Sequence, residues 1–377
     1  MRADRVFLLV LDSLGAGEAP DADRFGDAGA HTLRSLYNTG VLNIPNLRGL
    51  GIGNIDGLEF LGGVEKPLAD VARLTELSAD KDTTIGHWEI CGHVSKAPMP
   101  TFPDGFPTEI VDKLTSAWGR ELICNKPYSG TAVIADFGEE HMESGKLIVY
   151  TSADSVLQIA AHTDVVPLDT LYEYCRQARQ IMSGEKYGVG RIIARPFEGT
   201  AGNFRRTADR RDFSITPPDG LLADRLLATG LDTIAVGKIS DIFAGRGFSE
   251  SVHTHSNEEG MSVCSEYSGK DFHGLCFVNL VDFDTLWGHR RDAVSYAEGL
   301  NAFDRWLGGF IRGMRQTDML IITADHGCDP CFTKTTDHTR EYTPFIAYIP
   351  EMTPINHGTK RGFYYVSEVV ERALLSE

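Results

Sequence analysis

Three short apolar runs that each end in an aspartate constrain the fold of this 377-residue chain more than any other feature. The acids that follow the runs at 6–11, 276–281 and 319–324 are Asp12, Asp282 with Asp284, and Asp325. Runs this short, with β-branched residues, predict strands that are buried on both faces, as in a parallel sheet. Open α/β sheets bind ligands at the carboxyl ends of their strands. The sequence therefore predicts an α/β fold with a polar cluster at one sheet edge.

Histidines accompany these acids and extend the set of metal-binding side chains. His289 follows Asp284 on one loop, His326 follows Asp325 directly, and His338 comes shortly after in the pair Asp337-His338. Each pair taken alone is also compatible with an N-cap aspartate and a polar surface histidine. Carboxylates with imidazoles and no required thiolate suit Mn²⁺, Mg²⁺, Fe²⁺ or catalytic Zn²⁺. Taken together, these residues predict a metalloenzyme with one or two divalent cations.

Two proline-rich stretches, 96–107 and 215–220, indicate domain boundaries. Asp12 precedes the segment between them, and the other strand-ending acids follow it, so the flanking parts must fold together. The predicted core domain therefore comprises 1–97 and 217–377, and the second part holds most of the metal ligands. Residues 98–216 form a predicted inserted domain.

Both predicted domains carry helix and strand signals of their own. The inserted segment has strand-like runs at 147–151 and 190–194 and a helix-like run at 171–182. In the core, apolar residues recur at helical spacing from 292 to 314, between the second and third apolar runs. A strand, this helix and the next strand make a right-handed βαβ unit. We therefore expect a mostly parallel central sheet flanked by helices in the core and an α/β insertion.

The net charge of −17 argues against nucleic acid or an anionic membrane as a partner. It does not exclude a small anionic substrate, because a local cationic region or a metal can reverse the field. The apolar run at 6–11 is too short for a signal-peptide core, and no stretch approaches the ~20 residues of a membrane span. Seven scattered cysteines do not suggest a disulfide framework. Reduced thiols predict a cytoplasmic protein.

Two further features bear on catalysis. Thr83, in the segment KDTTIGHWE at 81–89, is a candidate nucleophile, although a threonine hydroxyl needs a metal or a base to activate it. The same Asp-Thr-Thr sequence is also typical of a helix N-cap, which its spacing alone favours. Arginines are concentrated in 191–211, and Lys238 lies further on. These cations suit phosphate recognition, but a solvated face with ordinary ion pairs would show the same pattern.

Over essentially its whole length the chain resembles the phosphopentomutase family of the alkaline phosphatase superfamily. The segments that carry the resemblance are LDSLGAGEAPDA (11–22), KDTTIGHWE (81–89), TFPDGFP (101–107), NKPYSGT (125–131), IVYTSADSVLQIAAH (148–162), GRIIARPF (190–197), GNFRRT (202–207), GKISDIF (237–243), NLVDFDTLWGHRRD (279–292) and TADHGCDP with TDHTRE (323–341). So many long motifs in one order are more specific than a match to the superfamily.

The resemblance implies an alkaline-phosphatase-like core and two Mn²⁺ ions per chain. One ion would be held by Asp12, Asp325 and His326, and the other by Asp284, His289 and His338. Thr83 would bridge the ions and carry a phosphoryl group. The residues implied in substrate binding are Ser152, Asp154, Arg191 and Arg206 of the inserted domain, which would form a cap, and Lys238 of the core.

The implied activity is an isomerisation of small-molecule pentose phosphates. Ribose 1-phosphate and ribose 5-phosphate, and the 2-deoxyribose pair, would interconvert through a phosphothreonine and a bisphosphorylated sugar. A phosphatase or phosphodiesterase with the same metal core is the nearest alternative, and a non-catalytic binding protein is another. The sequence departs from the family at Ile85, where a threonine is usual, and at Cys328 and Cys331 in the loop before His338.

Overall fold

The computed structural model describes residues 2–152, 154–335 and 337–375, except for the side chain of Glu185. It divides into two compact units. The core unit is Met1–Lys96 with Pro217–Glu377, and the inserted unit is Ala97–Thr216.

The first part of the core unit contains two strands of its sheet and three α-helices. In chain order these are β1 (Arg5–Leu11), α1 (Thr32–Asn38), α2 (Pro45–Leu50), β2 (Asp70–Thr75) and α3 (Thr83–Ile90). Short 3-10 turns lie at Ala22–Phe25, Ile52–Asn54 and Glu59–Leu61.

The inserted unit has its own sheet and helices. Its elements are α4 (Thr108–Trp118), β3 (Leu122–Pro127), α5 (Ala132–Ser144), β4 (Leu147–Thr151), β5 (Val156–His162), α6 (Leu168–Ile181), α7 (Gly184–Tyr187), β6 (Arg191–Glu198), β7 (Arg205–Arg206) and β8 (Arg211–Ser214).

The second part of the core unit supplies the remaining strands of the core sheet. Its elements are α8 (Leu222–Ala228), β9 (Asp232–Val236), α9 (Ile239–Ile242), β10 (Glu250–Val252), α10 (Asn257–Gly269), β11 (Gly274–Leu280), a π-helical turn (Phe283–Gly288), α11 (Ala293–Gly313), β12 (Asp318–Thr323), β13 (Thr343–Tyr348), β14 (Asn356–Arg361) and α12 (Tyr365–Leu375).

The core sheet has eight strands in the order β10-β9-β11-β1-β12-β13-β2-β14. Only β13 runs antiparallel to its neighbours among the described strands of this sheet. Every residue of β1, β11 and β12 is buried, as the continuous apolar runs predicted. The predicted α/β class with a mostly parallel central sheet is thereby confirmed.

The core lies on both faces of this sheet. Phe7, Leu9 and Leu11 of β1 pack in one large apolar cluster with side chains of α1, α2 and α11. The C-terminal helix α12 joins the chain start through a hydrogen bond from Ala3 N to Ala373 O (2.9 Å). Helices therefore cover a sheet whose central strands β1, β11 and β12 are buried throughout, as is typical of parallel sheets.

A buried ion pair fixes the register of β1 against β12. Arg5 and Asp318 are partners across the two strands, and both side chains are almost completely buried. Arg5 Nε and Nη2 donate to the two carboxylate oxygens at 2.8 and 2.7 Å, a bidentate geometry that tolerates no slip. The opposite ends of both strands are thereby aligned, which places the residues after Leu11 and Thr323 at the same edge.

The inserted unit is built on a mixed sheet in the order β3-β4-β5-β6-β7, with β8 also paired to β6. Helices α4 and α6 cover one face, where Ile110, Leu114 and Leu171 pack against Leu157 and Ile159. Helix α5 covers the other face. No helix in the described part of the chain is both long and apolar enough to cross a bilayer.

Candidate active site

The three strand-ending aspartates lie at one edge of the core sheet. Asp12 follows β1, Asp325 lies two residues beyond β12, and Asp284 sits in the π-helical turn after β11. In the sheet Leu11 pairs with Leu280, and Val10 pairs with Thr323, so the three strands end at the same level. All three carboxylates are buried.

The inner cluster consists of Asp12, Asp325 and His326, whose ligand atoms all lie within 4.8 Å of one another. His326 Nε2 is 3.5 Å from Asp12 Oδ1 and 3.2 Å from Asp325 Oδ2. On the other side of the ring, His326 Nδ1 hydrogen-bonds to the Gly327 carbonyl at 3.1 Å. That bond fixes the proton on Nδ1 and leaves the Nε2 lone pair facing the carboxylates.

The outer cluster consists of Asp284, His289 and His338, whose ligand atoms also lie within 4.8 Å of one another. Asp284 Oδ1 is 3.5 Å from His289 Nε2 and 3.4 Å from His338 Nε2. His338 Nδ1 hydrogen-bonds to the Lys81 carbonyl at 2.9 Å, which orients Nε2 toward the cluster. The His289 side chain is 38% exposed, whereas every side chain of the inner cluster is at most 1% exposed.

The two clusters are immediate neighbours. The rings of His326 and His338 stack with centroids 3.8 Å apart and planes 20° apart. Cys328, between them in sequence, is buried, and Cys331 is exposed. Neither cysteine keeps His338 from reaching Asp284.

The chemistry of the clusters fits divalent cations. Asp12 Oδ1, Asp284 Oδ1 and Asp325 Oδ2 are buried and have no hydrogen-bond partner of ordinary geometry among the described residues. A buried carboxylate without a counter-charge costs several kcal/mol. Each cluster presents hard oxygen and imidazole nitrogen donors, which a divalent cation would satisfy. The residues present therefore fit one divalent ion in each cluster.

The electrostatics of the clusters differ. Burial, followed by the charges of Asp325 and Asp284, raises the pKa of Asp12 well above its ordinary value, while nearby Lys238 lowers it. Burial lowers the pKa of His326 to about 4. Burial also acts against the His338 cation, but the hydrogen bond and charge of Asp284 raise the pKa of His338 to about 10. The inner cluster thus combines crowded carboxyl groups with a neutral imidazole, whereas the outer cluster contains an imidazole whose pKa is raised.

Thr83 is the first residue of α3, and its hydroxyl points at the inner cluster. Thr83 Oγ1 lies 2.9 Å from His326 Nε2. The N-cap is Asp82, whose Oδ1 accepts from Thr84 N at 2.8 Å. Because Asp82 caps the helix, the Thr83 hydroxyl is available for chemistry, so the two interpretations of this segment are compatible. Ile85 faces the interior and is buried.

A glycine lets α3 approach the end of β12. A Cβ added at Gly86 would lie 2.1 Å from the Asp325 carbonyl oxygen, a distance that a side chain cannot occupy. Helix α3 therefore packs directly against the inner cluster. The motif KDTTIGHWE places an N-cap (Asp82), a hydroxyl (Thr83) and a close-packing glycine (Gly86) within five consecutive residues.

Buried ion pairs that the sequence did not reveal hold the loop before α3. Lys81 Nζ bonds Asp27 Oδ2 at 2.8 Å. Arg340, itself buried, bonds Glu76 at 2.6 Å and Asp21 at 3.1 Å. The partners lie far apart in the chain, so no local signal marks them. They anchor the segment that presents Lys81 O to His338.

Glu341 is a second such anchor. Its carboxylate is buried and accepts hydrogen bonds from Thr32 N and Oγ1, from Thr339 Oγ1 and from Gly17 N, at 2.7 to 3.0 Å. A Cβ at Gly15 would lie 2.2 Å from Glu341 Oε2, so only glycine fits there. Glu341 thereby ties the loop after β1 to the loop that carries His338.

Three of the predicted substrate residues lie together in the inserted unit. Ser152 follows β4, and its hydroxyl accepts from Asp154 N at 3.3 Å. Arg191, the first residue of β6, lies 3.9 Å from Asp154 and 3.6 Å from Asp212. Ser152, Asp154 and Arg191 therefore gather at one edge of the inserted sheet.

Arg206, the fourth, sits on the short strand β7 and is exposed, and its Nε donates to the Gly130 carbonyl at 3.2 Å. The buried hydroxyl of Tyr150 lies close by, because a Cβ at Gly130 would meet both Arg206 Nη2 and Tyr150 Oη. Lys238 is exposed in the core unit, near enough to Asp12 to influence its pKa. Asp282 belongs to neither cluster: its carboxylate accepts from Asn257 N at 2.7 Å.

The fold and the paired clusters define a metal-dependent α/β enzyme. Consistent with this, the profile of the metalloenzyme superfamily matches residues 4–370. A protein of known structure from Pyrococcus horikoshii has the same fold, with a TM-score of 0.50, 13% identity, and coverage of 100% of this chain and 99% of that one.

Relatives of much higher sequence identity show which family within this superfamily the chain belongs to. The phosphopentomutase of Lachnoclostridium phytofermentans is 52% identical over 368 residues, which cover 97% of this chain and 94% of that one. The phosphopentomutase of Clostridium novyi is 49% identical over 369 residues, with the same coverage. The chain belongs to the phosphopentomutase family.

Proposed function

We propose that this chain is a phosphopentomutase that interconverts ribose 1-phosphate with ribose 5-phosphate, and the corresponding 2-deoxyribose phosphates. The observation that carries the proposal is the Thr83 hydroxyl, 2.9 Å from His326 Nε2 and beside two adjoining ligand clusters, in a member of this family. A storage or binding protein would need no hydroxyl in that position. We assign Thr83 as the residue that accepts and returns the phosphoryl group.

The metal content is part of the proposal. We assign one Mn²⁺ to the inner cluster and one to the outer cluster, on the grounds of the unpaired carboxylate oxygens in each. When bound, such ions lower the pKa of a coordinated hydroxyl and neutralise charge on a transferring phosphoryl group.

The position of Thr83 at a helix start suits an anionic group. Helix α3 is eight residues long, and its N-terminus carries a partial positive charge and unpaired N–H groups. A phosphoryl group on Thr83 Oγ1 would lie at this terminus. Asp82 already satisfies Thr84 N, which fixes the turn and holds the hydroxyl in one orientation.

The reaction then consists of two transfers. The Oγ1–P bond of phosphorylated Thr83 breaks as the free hydroxyl of the sugar phosphate takes the phosphoryl group and loses its proton. The resulting bisphosphorylated sugar turns over within the site, so that its other phosphate faces Thr83 Oγ1. The bond between that phosphoryl group and the sugar oxygen then breaks as the Oγ1–P bond forms again, and the sugar oxygen takes up a proton. The product is the isomer, and the enzyme regains its phosphothreonine.

The residues of the inserted unit supply the substrate contacts in this proposal. Arg191 and Arg206 would bind the phosphate that is not being transferred, since guanidinium groups bind phosphate in a bidentate manner. Ser152 and Asp154 lie beside Arg191 and would hold sugar hydroxyls. Lys238 would contribute a further cation from the core.

We further propose that the protein works in the cytoplasm as an enzyme of small-molecule pentose phosphates. All seven cysteines are free thiols, which suits a reducing compartment.

The test is to incubate the purified protein with Mn²⁺ and ribose 1-phosphate and to measure ribose 5-phosphate and inorganic phosphate separately. We expect the isomer without stoichiometric release of phosphate. Free phosphate without the isomer would instead identify a phosphatase of the same superfamily, and no turnover at all would identify a binding protein.

A further inference from the structure

A buried histidine connects the nucleophile helix to the inner cluster. His87 lies one turn after Thr83 on α3 and is completely buried. Its Nδ1 hydrogen-bonds to the Thr83 carbonyl at 2.8 Å and lies 3.1 Å from Asp325 Oδ2. Both neighbours are acceptors, so their arrangement assigns the proton to Nδ1. The ring therefore bonds the first turn of α3 and, with the same nitrogen, lies close against the Asp325 carboxylate without a hydrogen bond of ordinary geometry to it.

The opposite side of the ring leads to the other carboxylate of the inner cluster. His87 Nε2, which carries a lone pair in this tautomer, lies 3.5 Å from Asn279 Nδ2. Asn279 Nδ2 in turn donates to Asp12 Oδ2 at 2.9 Å. The amide nitrogen of Asn279 thus lies near the His87 imidazole and donates a hydrogen bond to Asp12. A chain of contacts therefore runs from Thr83 through His87 and Asn279 to Asp12.

Packing alone does not account for these two side chains. The His87 ring stacks on Phe277, with centroids 5.9 Å apart, and an aromatic ring without nitrogen atoms would do the same. Asn279 interrupts the apolar strand β11, and its Oδ1 is buried without a hydrogen-bond partner among the described residues. A buried polar atom without a partner costs about 1–3 kcal/mol. The hydrogen bond that Asn279 Nδ2 donates to Asp12 explains why an asparagine occupies this position despite that cost.

We propose that His87 and Asn279 are positioning residues, which orient Asp12 and Asp325 as metal ligands and couple both to the start of α3. The proposal rests on the proposed function in one respect, namely that a divalent ion occupies the inner cluster. The outer cluster is held by different contacts, since its His338 is oriented by the Lys81 carbonyl. Loss of His87 or Asn279 therefore affects one ion and spares the other.

The primary test measures Mn²⁺ binding by electron paramagnetic resonance and calorimetry, without reference to turnover. Removing a hydrogen-bond partner of a metal ligand costs about 10- to 100-fold in affinity. We expect Asn279→Leu and His87→Ala to weaken one of two sites by that factor and to leave the other unchanged. In a His289→Ala background, which weakens the outer cluster, the further loss caused by Asn279→Leu or His87→Ala should fall on the other site.

Rescue by a conservative variant separates positioning from packing. The amide nitrogen of asparagine can take the place of the imidazole Nδ1, so His87→Asn keeps the donor toward Thr83 O and Asp325. We expect His87→Asn to restore most of the affinity that His87→Ala loses. In turnover assays kcat should fall about tenfold or more in the alanine variant, with KM for the sugar phosphate changed less than about twofold.

A matched control is available in the inserted unit. His141 is equally buried, bonds the Lys146 carbonyl through Nδ1 and accepts from His162 N through Nε2. His141→Ala should lower thermal stability yet leave both Mn²⁺ affinities unchanged.

The proposal would be overturned if folded Asn279→Leu and His87→Ala bound Mn²⁺ at both sites with wild-type affinity. Equal losses of Mn²⁺ affinity at the two sites would overturn it as well. If either variant fails to fold, His87→Asn and His87→Gln decide, because only the former keeps a donor at the Nδ1 position. A wild-type protein that binds two ions without isomerase activity would contradict the proposed function and leave this result intact.

Discussion

The inner and outer clusters have the same ligand types but are built differently. Asp12, Asp325 and His326 follow two adjacent parallel strands whose register is locked by a buried ion pair at the far end, and all are shielded from water. Asp284 and His289 come from a π-helical turn, and His338 comes from a long loop. Strand ends fix ligands before any ion arrives, whereas a turn and a loop leave one ligand partly exposed. The inner cluster should therefore bind tightly, and the outer one should exchange.

The largest effect expected concerns Thr83, whose hydroxyl contacts His326 of the inner cluster. Thr83→Ala removes the proposed nucleophile, so isomerase turnover should fall by on the order of 10⁴-fold or more. Both ions should still bind, because Thr83 contacts His326 without being needed to place it. Turnover and bound Mn²⁺ per chain are the measurements, with Thr84→Ala as the control that retains the hydroxyl at 83. Full activity in Thr83→Ala would exclude it as the nucleophile.

Removing one ligand from each cluster tests the difference between them directly. Asp12→Asn takes a charge from a site closed to water, and we expect Mn²⁺ affinity there to fall about 10³-fold, or ~4 kcal/mol. His289→Ala should cost nearer tenfold, since water can replace a half-exposed ligand. Titration of Mn²⁺ into both variants measures this. Equal losses would mean that burial does not distinguish the clusters.

The packing of the loop after β1 can be disrupted without changing any of the proposed metal ligands. Gly15→Ala places a Cβ 2.2 Å from Glu341 Oε2, and relief requires the loop or the carboxylate to move. We expect a loss of about 2–4 kcal/mol in the free energy of unfolding in urea. Gly49→Ala on α2 is the control, because no atom lies within 4 Å of that Cβ and alanine favours a helix. Similar behaviour of the two variants would contradict the role of Glu341.

The last effect expected, no larger than that of Gly15→Ala, is a dependence of stability on pH. Burial raises the pKa of Glu341 to about 7, although hydrogen bonds from Thr339 and Thr32 lower it. The folded state then holds a proton that the unfolded state releases near its ordinary pKa of 4.5. The free energy of unfolding should therefore fall as the pH rises from about 4.5 to about 7, by up to ~3 kcal/mol from this group. Glu341→Gln should flatten that part of the curve, and an unchanged slope would contradict the assignment.

The sequence was informative where a local pattern decides the structure. Asp12 and Asp325 could be placed because an apolar run and its end are visible within a few residues. The helix Ala293–Gly313 was recognisable from its apolar spacing. Asp82 and Thr83 could be identified, but not separated into a helix cap and a nucleophile, because both roles favour the same residue types.

The remainder depends on contacts between distant parts of the chain. Arg340 pairs with Asp21, and Glu341 bonds Thr32, across more than 300 residues in each case. In the sequence Asn279 only interrupts an apolar strand, and its hydrogen bond to Asp12 of the neighbouring strand is visible only in the structure. No spacing rule connects such residues, so the network beneath the site could only be seen in three dimensions.

The central place of β1 has a consequence for how the protein is made. The strand is synthesised before both of its neighbours, β11 and β12, which lie between residues 274 and 323. The sheet of the inserted unit is complete by Ser214 and uses only nearby segments. During translation the apolar segment RVFLLVL must therefore wait, unpaired, until most of the chain has left the ribosome. Binding of that segment by a chaperone would shield an unpaired apolar strand from aggregation while its partners are being made.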